Sequence, residues 1–319
     1  MGKKTFLFTM LLFLFSASCL PALTADASAS LKEGESYGFS LAPLASLVYG
    51  HSNELVFDSS SDPYPYMSRL NWQIRPAVVL GVKGSFNLKD MFFVNGAFGT
   101  AVNRGRGIMT DHDWLSEYFD AVDTEWTHES VSDIYYTSSF LLDSNAGYRF
   151  LSRKALKMNG MLGFKYMKWG WTDSITSITY PGQDLDYLIG VNGIDYTIQY
   201  RIPYLGISGM MEKDLFRGGL TFLYSFLVSA DDHDHHILRS LHFYDSFKKG
   251  QYFGLSASAA WHWHEHFALS LAYDFDYIPE ITGNTTVYND SGSYLGTFED
   301  GAGVSYAASS VTIALEYHY

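Results

Sequence analysis

The chain has 319 residues, 21 Lys and Arg against 34 Asp and Glu, and a net charge of −13. Charged residues make up 17%, below the ~25% of a typical soluble domain, while aromatic residues reach 17%. So many aromatics exclude intrinsic disorder, the missing basic surplus excludes nucleic-acid binding, and a single Cys excludes a disulfide scaffold.

In chain order, the first element is a targeting segment. Lys3 and Lys4 precede an apolar run from Phe6 to Phe15, and Ala25-Asp26-Ala27 offers a small-residue cleavage site. The run is too short for the ~20 residues of a spanning helix. Residues 1–27 are therefore expected to be a signal peptide, and 28–319 a single barrel domain. Cys19 leaves with the peptide.

No later apolar run is long enough for a membrane helix. Two-residue alternation dominates instead. Leu220, Phe222, Tyr224, Phe226 and Val228 form one such series, and Phe253, Leu255, Ala257, Ala259, Trp261 and Trp263 another. Phe267 through Tyr277 and Val311 through Tyr319 repeat it. Side chains on a strand point alternately to opposite faces, so each segment has one apolar face. Ten strands are expected, at approximately 36–50, 67–86, 91–102, 134–151, 155–170, 193–211, 216–229, 251–263, 267–278 and 304–319.

Short turns at Asn87–Asp90, Leu151–Lys154, Glu212–Phe216 and His264–His266 alternate with long polar stretches at 50–66, 103–133, 170–192, 230–250 and 279–303. An even strand number, aromatic strand ends and short-then-long connections predict an all-β, ten-stranded antiparallel transmembrane barrel with long extracellular loops. Pro76 and Pro203 fall inside predicted strands and predict a bulge or strand end, because proline lacks a ladder donor.

The second and fourth long stretches hold the chemistry. Asp111 and Asp113 share one face of an extended backbone, as do Asp232, Asp234 and His236, with His233 and His235 opposite. Such a set can hold a water between an Asp and a His. The His takes its proton, and the neighbouring Asp orients the ring and stabilises imidazolium. Solvated acidic loops remain the plain alternative. A metal site also remains open, because His and Asp are ligand types, although one strand cannot aim all of 231–236 at a single ion. No G-x-S-x-G elbow or H-E-x-x-H pattern occurs. The outward phase of Leu220 through Val228, continued, would turn Asp232, Asp234 and His236 outward. A bulge near Ser229–Asp231 is therefore required.

These motifs resemble the omptins, outer-membrane endoproteases of Gram-negative bacteria, over roughly residues 35–319. The family's Met-x-Asp-x-Asp-Trp stands here as Met109-Thr110-Asp111-His112-Asp113-Trp114, and its Asp-x-Asp-x-His as Asp232-His233-Asp234-His235-His236. Leu70-Asn71-Trp72, Trp126-Thr127 with Glu129-Ser130, Pro203-Tyr204-Leu205-Gly206, Gly283-Asn284-Thr285 and Gly301-Ala302-Gly303 add further matches. The resemblance implies an acidic pair, Asp111 and Asp113, and a His–Asp dyad, Asp234 and His236, with water held between Asp111 and His236. It implies an anionic pocket of Glu54 and Asp232, lined by Met109 and Ile194, for Arg or Lys before the scissile bond. It also implies lipopolysaccharide contacts at Lys168 and Lys249, with that lipid as an activator.

Three positions depart from the family pattern. His128 replaces an Asp that shapes the pocket beyond the scissile bond, Gln199 replaces an Arg, and Tyr166 replaces a Glu. The expected function is an endopeptidase in the outer membrane, facing the cell exterior and acting on cationic peptides or proteins. No metal or organic cofactor is expected. A non-enzymatic adhesin or small pore is the competing class, with ion conductance as its discriminator.

Overall fold

The structure, a computed structural model, describes residues 37–58, 64–121, 125–153 and 155–319. The expected signal peptide at 1–27 lies outside the described residues. The strands are β1 (Tyr37–Val56), β2 (Ser68–Leu88), β3 (Phe92–Ala101), β4 (Gly107–Asp113), β5 (His128–Arg153), β6 (Leu156–Thr179), β7 (Ile194–Lys213), β8 (Phe216–His236), β9 (Leu241–His264), β10 (Phe267–Asn289) and β11 (Tyr294–His318).

These eleven segments fill ten positions. The lower part of β2 pairs with β3 and its upper part with β4, and β5 does the same on the other side. β3 and β4 are therefore one strand interrupted at 102–106. All neighbours are antiparallel, and β1 pairs with both β2 and β11, which closes the ring. Closure leaves no edge to satisfy, which is what lets a sheet stand in lipid.

The alternation read from sequence is the barrel's inside-outside code. On β10, Leu269 and Leu271 face out while Ala268, Ser270 and Asp274 are buried in the lumen. Phe267 and Tyr277 bracket the apolar wall of that strand. The stretch from one to the other, both included, is eleven residues, within the ~9–11 that a tilted strand needs to cross a bilayer. Trp263 packs on Phe267 and Phe267 on Tyr317 near the short turns, while Phe253 meets Tyr224 and Tyr277 at the upper level. These two belts are aromatic girdles.

The strands run far beyond the upper girdle. β5 has 26 residues and β11 has 25, on the order of 80 Å along the strand. Here the structure corrects the expected boundaries. The four short turns fall as expected, but most of 230–250 and 279–303 is strand, not loop, and β8 reverses into β9 within four residues. Polar composition marks exposure to water above the membrane, and it does not mark loss of the ladder.

Both prolines sit at irregularities. The β1–β2 register shifts between Val48 and Gly50, opposite Pro76, and the β7–β8 register shifts across 202–204 around Pro203. Gly50 is required at the first shift, because a Cβ there would lie 2.3 Å from the Ala307 carbonyl oxygen.

The lumen is filled. Lys165 lies 2.7 Å from Asp276 and 3.8 Å from Asp143, and Glu316 accepts from Lys83 and Arg217, each at 2.9 Å. Above Lys165, the fully buried Trp169, Trp171, Tyr196, Tyr200 and Tyr306 form an aromatic floor.

Candidate active site

A cavity of about 650 Å³ opens above this floor and is lined by Glu54, Met109, Asp111, Asp113, Ile194, Asp234 and His236, among others. All four expected catalytic residues therefore meet at one cavity, carried by β4 and β8 from opposite arcs of the barrel.

A bulge aims the β8 residues inward. Leu223 and Ser225 are buried, Phe226 and Leu227 are both exposed, and Val228, Ala230, Asp232 and Asp234 are buried. Two consecutive outward residues invert the phase. The β8–β9 register is irregular between Ser225 and Ala230. The required bulge therefore exists a few residues earlier than expected, and Val228, expected to face out, faces in.

On β8, His236 Nε2 lies 2.5 Å from Asp234 Oδ2. The Nδ1 edge of the ring meets the guanidinium of Arg239, an exposed residue of the following turn. On β4, Ser68 Oγ donates to Asp111 Oδ1 at 2.9 Å. Trp114, just beyond, packs edge-on against Tyr66 and anchors the end of β4. Burial pushes the Asp111 carboxyl well above its ordinary value, and Asp113 adds to the shift. Burial also raises Asp113, opposed by Ser68, His128, Arg239 and His236.

The expected pocket residues lie lower. Glu54 is 3% exposed and accepts from Trp72 Nε1 at 3.1 Å. Asp232 accepts from the Tyr196 hydroxyl at 3.0 Å, and Tyr196 stacks on Trp72 with centroids 5.0 Å apart. Met109 is buried beside Trp72 in the β2–β4 register. Ile194 is held by Asp173, whose Oδ1 accepts from the Gly193 and Ile194 amides at 2.6 and 2.8 Å.

Sequence reasoning missed Asp245. It sits directly opposite Asp232 in the β8–β9 register and lines the cavity. Burial pushes its carboxyl up to about 7, with Asp234 adding to the effect. Burial likewise raises Glu54 and Asp232, each further raised by its acidic neighbours. One oxygen on each of Asp232, Asp234 and Asp245 is buried without a hydrogen-bond partner. Extending β8 and β9 to a tight turn in the sequence would have revealed Asp245.

His128 lies between Tyr118 and Tyr180, edge-on to both, with Nδ1 2.9 Å from Thr127 Oγ1. Burial lowers its affinity for a proton. Lys168 is half-buried on the outer wall of β6, and Lys249 is exposed with φ of 64°. Tyr166, two residues before Lys168 on β6, donates to Gln199 of β7 at 2.9 Å.

Fold and cavity together define a transmembrane β-barrel with an acidic, histidine-bearing cleft at its mouth. The profile of the Omptin family matches residues 36–319. The chain belongs to that family. It is 24% identical over 287 residues to the plasminogen activator of Yersinia pestis, covering 88% of this chain and 89% of that one. It is 23% identical over 261 residues to the outer membrane protease OmpP of Escherichia coli K12, covering 79% and 82%. The crystal structure of the outer membrane protease OmpT from Escherichia coli superposes with a TM-score of 0.79 at 20% identity, covering 90% of this chain and 99% of that one.

Proposed function

We propose that this chain is an outer-membrane endopeptidase that cleaves next to basic residues with an activated water, its cleft facing the cell exterior. The observation that carries the reading is the meeting of Asp111, Asp113, Asp234 and His236 at one cavity beside unpartnered buried carboxylate oxygens.

Water sits between Asp111 and the Nδ1 edge of His236. The imidazole accepts its proton as oxygen attacks the scissile carbonyl, Asp234 stabilises the imidazolium, and the imidazolium returns that proton to the leaving amine as the C–N bond breaks. Asp111, raised by burial and by Asp113, supplies or shares the proton that the tetrahedral oxyanion needs. No covalent intermediate forms. The Arg239 guanidinium occupies the Nδ1 edge in the structure and swings out when a substrate enters.

Glu54 and Asp232 receive the substrate's basic side chain, with Asp245 as a third anion. Several carboxylates around one guanidinium favour Arg over Lys, because its planar fork makes more than one charge-assisted bond. The mouth's negative potential draws in cationic peptides, and salt weakens that attraction. With His128 in place of an acid, preference for a basic residue after the scissile bond is weak. Lys168 and Lys249 meet the phosphates of lipopolysaccharide on the outer wall, which positions the strands that carry the cleft.

The test is cleavage of an Arg-containing fluorogenic peptide library by the refolded barrel, with and without lipopolysaccharide. Cuts next to Arg, resistant to serine-protease inhibitors and to chelators, support the proposal. Cuts spread evenly over uncharged residues contradict it. A non-enzymatic pore is disfavoured by the ion pairs and aromatic floor that fill the lumen.

A further inference from the structure

Three donor groups meet on the outer face of the mouth, on the side of β8 opposite the cleft. His235 and His242 are direct partners in the β8–β9 register, and their rings stack with centroids 4.0 Å apart. Asp290, the residue after β10, places Oδ1 3.3 Å from Nε2 of each histidine. All three donor atoms lie within 4.8 Å of one another. The Asp290 amide donates to the Ser240 carbonyl at 3.1 Å, which ties the β10–β11 turn to the β8–β9 turn and fixes the carboxylate over the rings.

The contacts do not read as a hydrogen-bonded pair. His235 Nε2 is buried and has no hydrogen-bond partner, although Asp290 Oδ1 is near it. Both atoms are therefore misaligned for a bond to each other. Two donors on a tetrahedral ion with bonds of ~2.05 Å stand ~3.3 Å apart, which is the spacing seen for both His–Asp contacts. Bringing both stacked rings onto one ion requires them to splay from their 11° interplanar angle.

The second nitrogen of His242 is also engaged. His242 Nδ1 lies 3.0 Å from His233 Nε2. Metal-bound histidines characteristically use their other nitrogen in this way, which sets tautomer and ring orientation. With the proton of His242 on Nδ1, its Nε2 lone pair faces a carboxylate, and a cation between them removes that repulsion.

We infer that His235, His242 and Asp290 bind one transition-metal dication, zinc by ligand type, with His233 as the positioning residue for His242. Two imidazoles and a carboxylate are a zinc set, whereas calcium and magnesium prefer oxygen alone. The ion joins the ends of β8, β9 and β10. His236 is the next residue after His235, so the clamp stiffens the strand end that carries Asp234 and His236. The inference concerns metal binding and stands independently of the peptidase reading.

The test is calorimetric titration of the refolded full-length barrel with Zn²⁺ at pH 7.5, with Co²⁺ absorption as a probe of coordination. One ion per barrel is expected, with visible Co²⁺ bands of tetrahedral intensity. His242→Ala and Asp290→Asn each remove saturable binding, and His233→Ala weakens it by about 10- to 100-fold. Asp290 is half exposed, so its conservative replacement tests the site even if His242→Ala fails to fold. Absence of saturable Zn²⁺ binding overturns the inference. So does binding that survives both ligand variants, which would place the ion elsewhere, for example at His264 and His266.

Discussion

His236 faces Asp234 at 2.5 Å through Nε2, and Asp234 is only 1% exposed. The pair sits two residues apart on one extended strand, so backbone geometry alone sets both side chains toward the cleft. The carboxylate is buried, its Oδ2 faces the imidazole, and its charge also raises the neighbouring Asp245 and Glu54 carboxyls. Asp234→Asn keeps the shape and loses the charge. It is expected to lower kcat by about 10²- to 10⁴-fold, with KM for an Arg peptide changed far less. Steady-state kinetics on the refolded variant, with far-UV circular dichroism as the fold control, checks this.

Arg239 is expected to restrain the enzyme. Its guanidinium contacts His236 and lowers the proton affinity of Asp111 and Asp113. Exposed contacts of this kind are worth about 0.2–1 kcal/mol. Arg239→Ala should therefore raise kcat/KM on a short Arg peptide by about 1.5- to 5-fold. A fall in kcat/KM would assign Arg239 a positive role instead.

Selectivity should follow the buried carboxylates. Removing one partner of a buried, hydrogen-bonded charge pair costs about 2–5 kcal/mol. Glu54→Gln and Asp232→Asn should each raise KM for Arg substrates by more than tenfold, while the small activity on an uncharged residue at the same position changes little. Competition between Arg and norleucine peptides measures this. Equal losses on both substrates would show that the carboxylates merely support the fold.

The pH dependence follows from Asp245, whose carboxyl is pushed up to about 7. It gains its charge as pH rises from 6 to 8, so KM for an Arg peptide should fall over that interval, and Asp245→Asn should flatten the profile. Stability runs the other way. A carboxyl with a raised folded-state pKa stabilises the protein below its unfolded value, and that contribution is lost as pH rises through about 7. The melting temperature of the ligand-free barrel should therefore fall between pH 5 and 8, and a bound guanidinium ligand should restore it.

The barrel was legible because its code is local. Alternation from Phe267 to Tyr277 and the turn at His264–His266 are visible in short windows. The strand ends were not, because ladder pairing above the membrane depends on a partner strand rather than on polarity. Residues 230–250 look like a loop, yet they pair Asp232 with Asp245 and His235 with His242. The catalytic candidates were legible through two short motifs. Asp245, Arg239 and Asp290 were not, since their places follow from the tight turn between β8 and β9 and from its contact with the β10–β11 turn. The bulge at Phe226–Leu227 could be inferred only as a necessity, because two adjacent apolar residues carry no phase of their own.

The central claim is that Asp111 and His236, brought from β4 and β8, activate one water together. The most direct test is a double-mutant cycle on kcat with Asp111→Asn, His236→Ala and the combined variant. Residues that act as a unit lose about as much singly as together, so each variant should fall by on the order of 10³-fold or more, with little further loss in the pair. Single variants that keep wild-type turnover, or losses that multiply in full, would contradict the account.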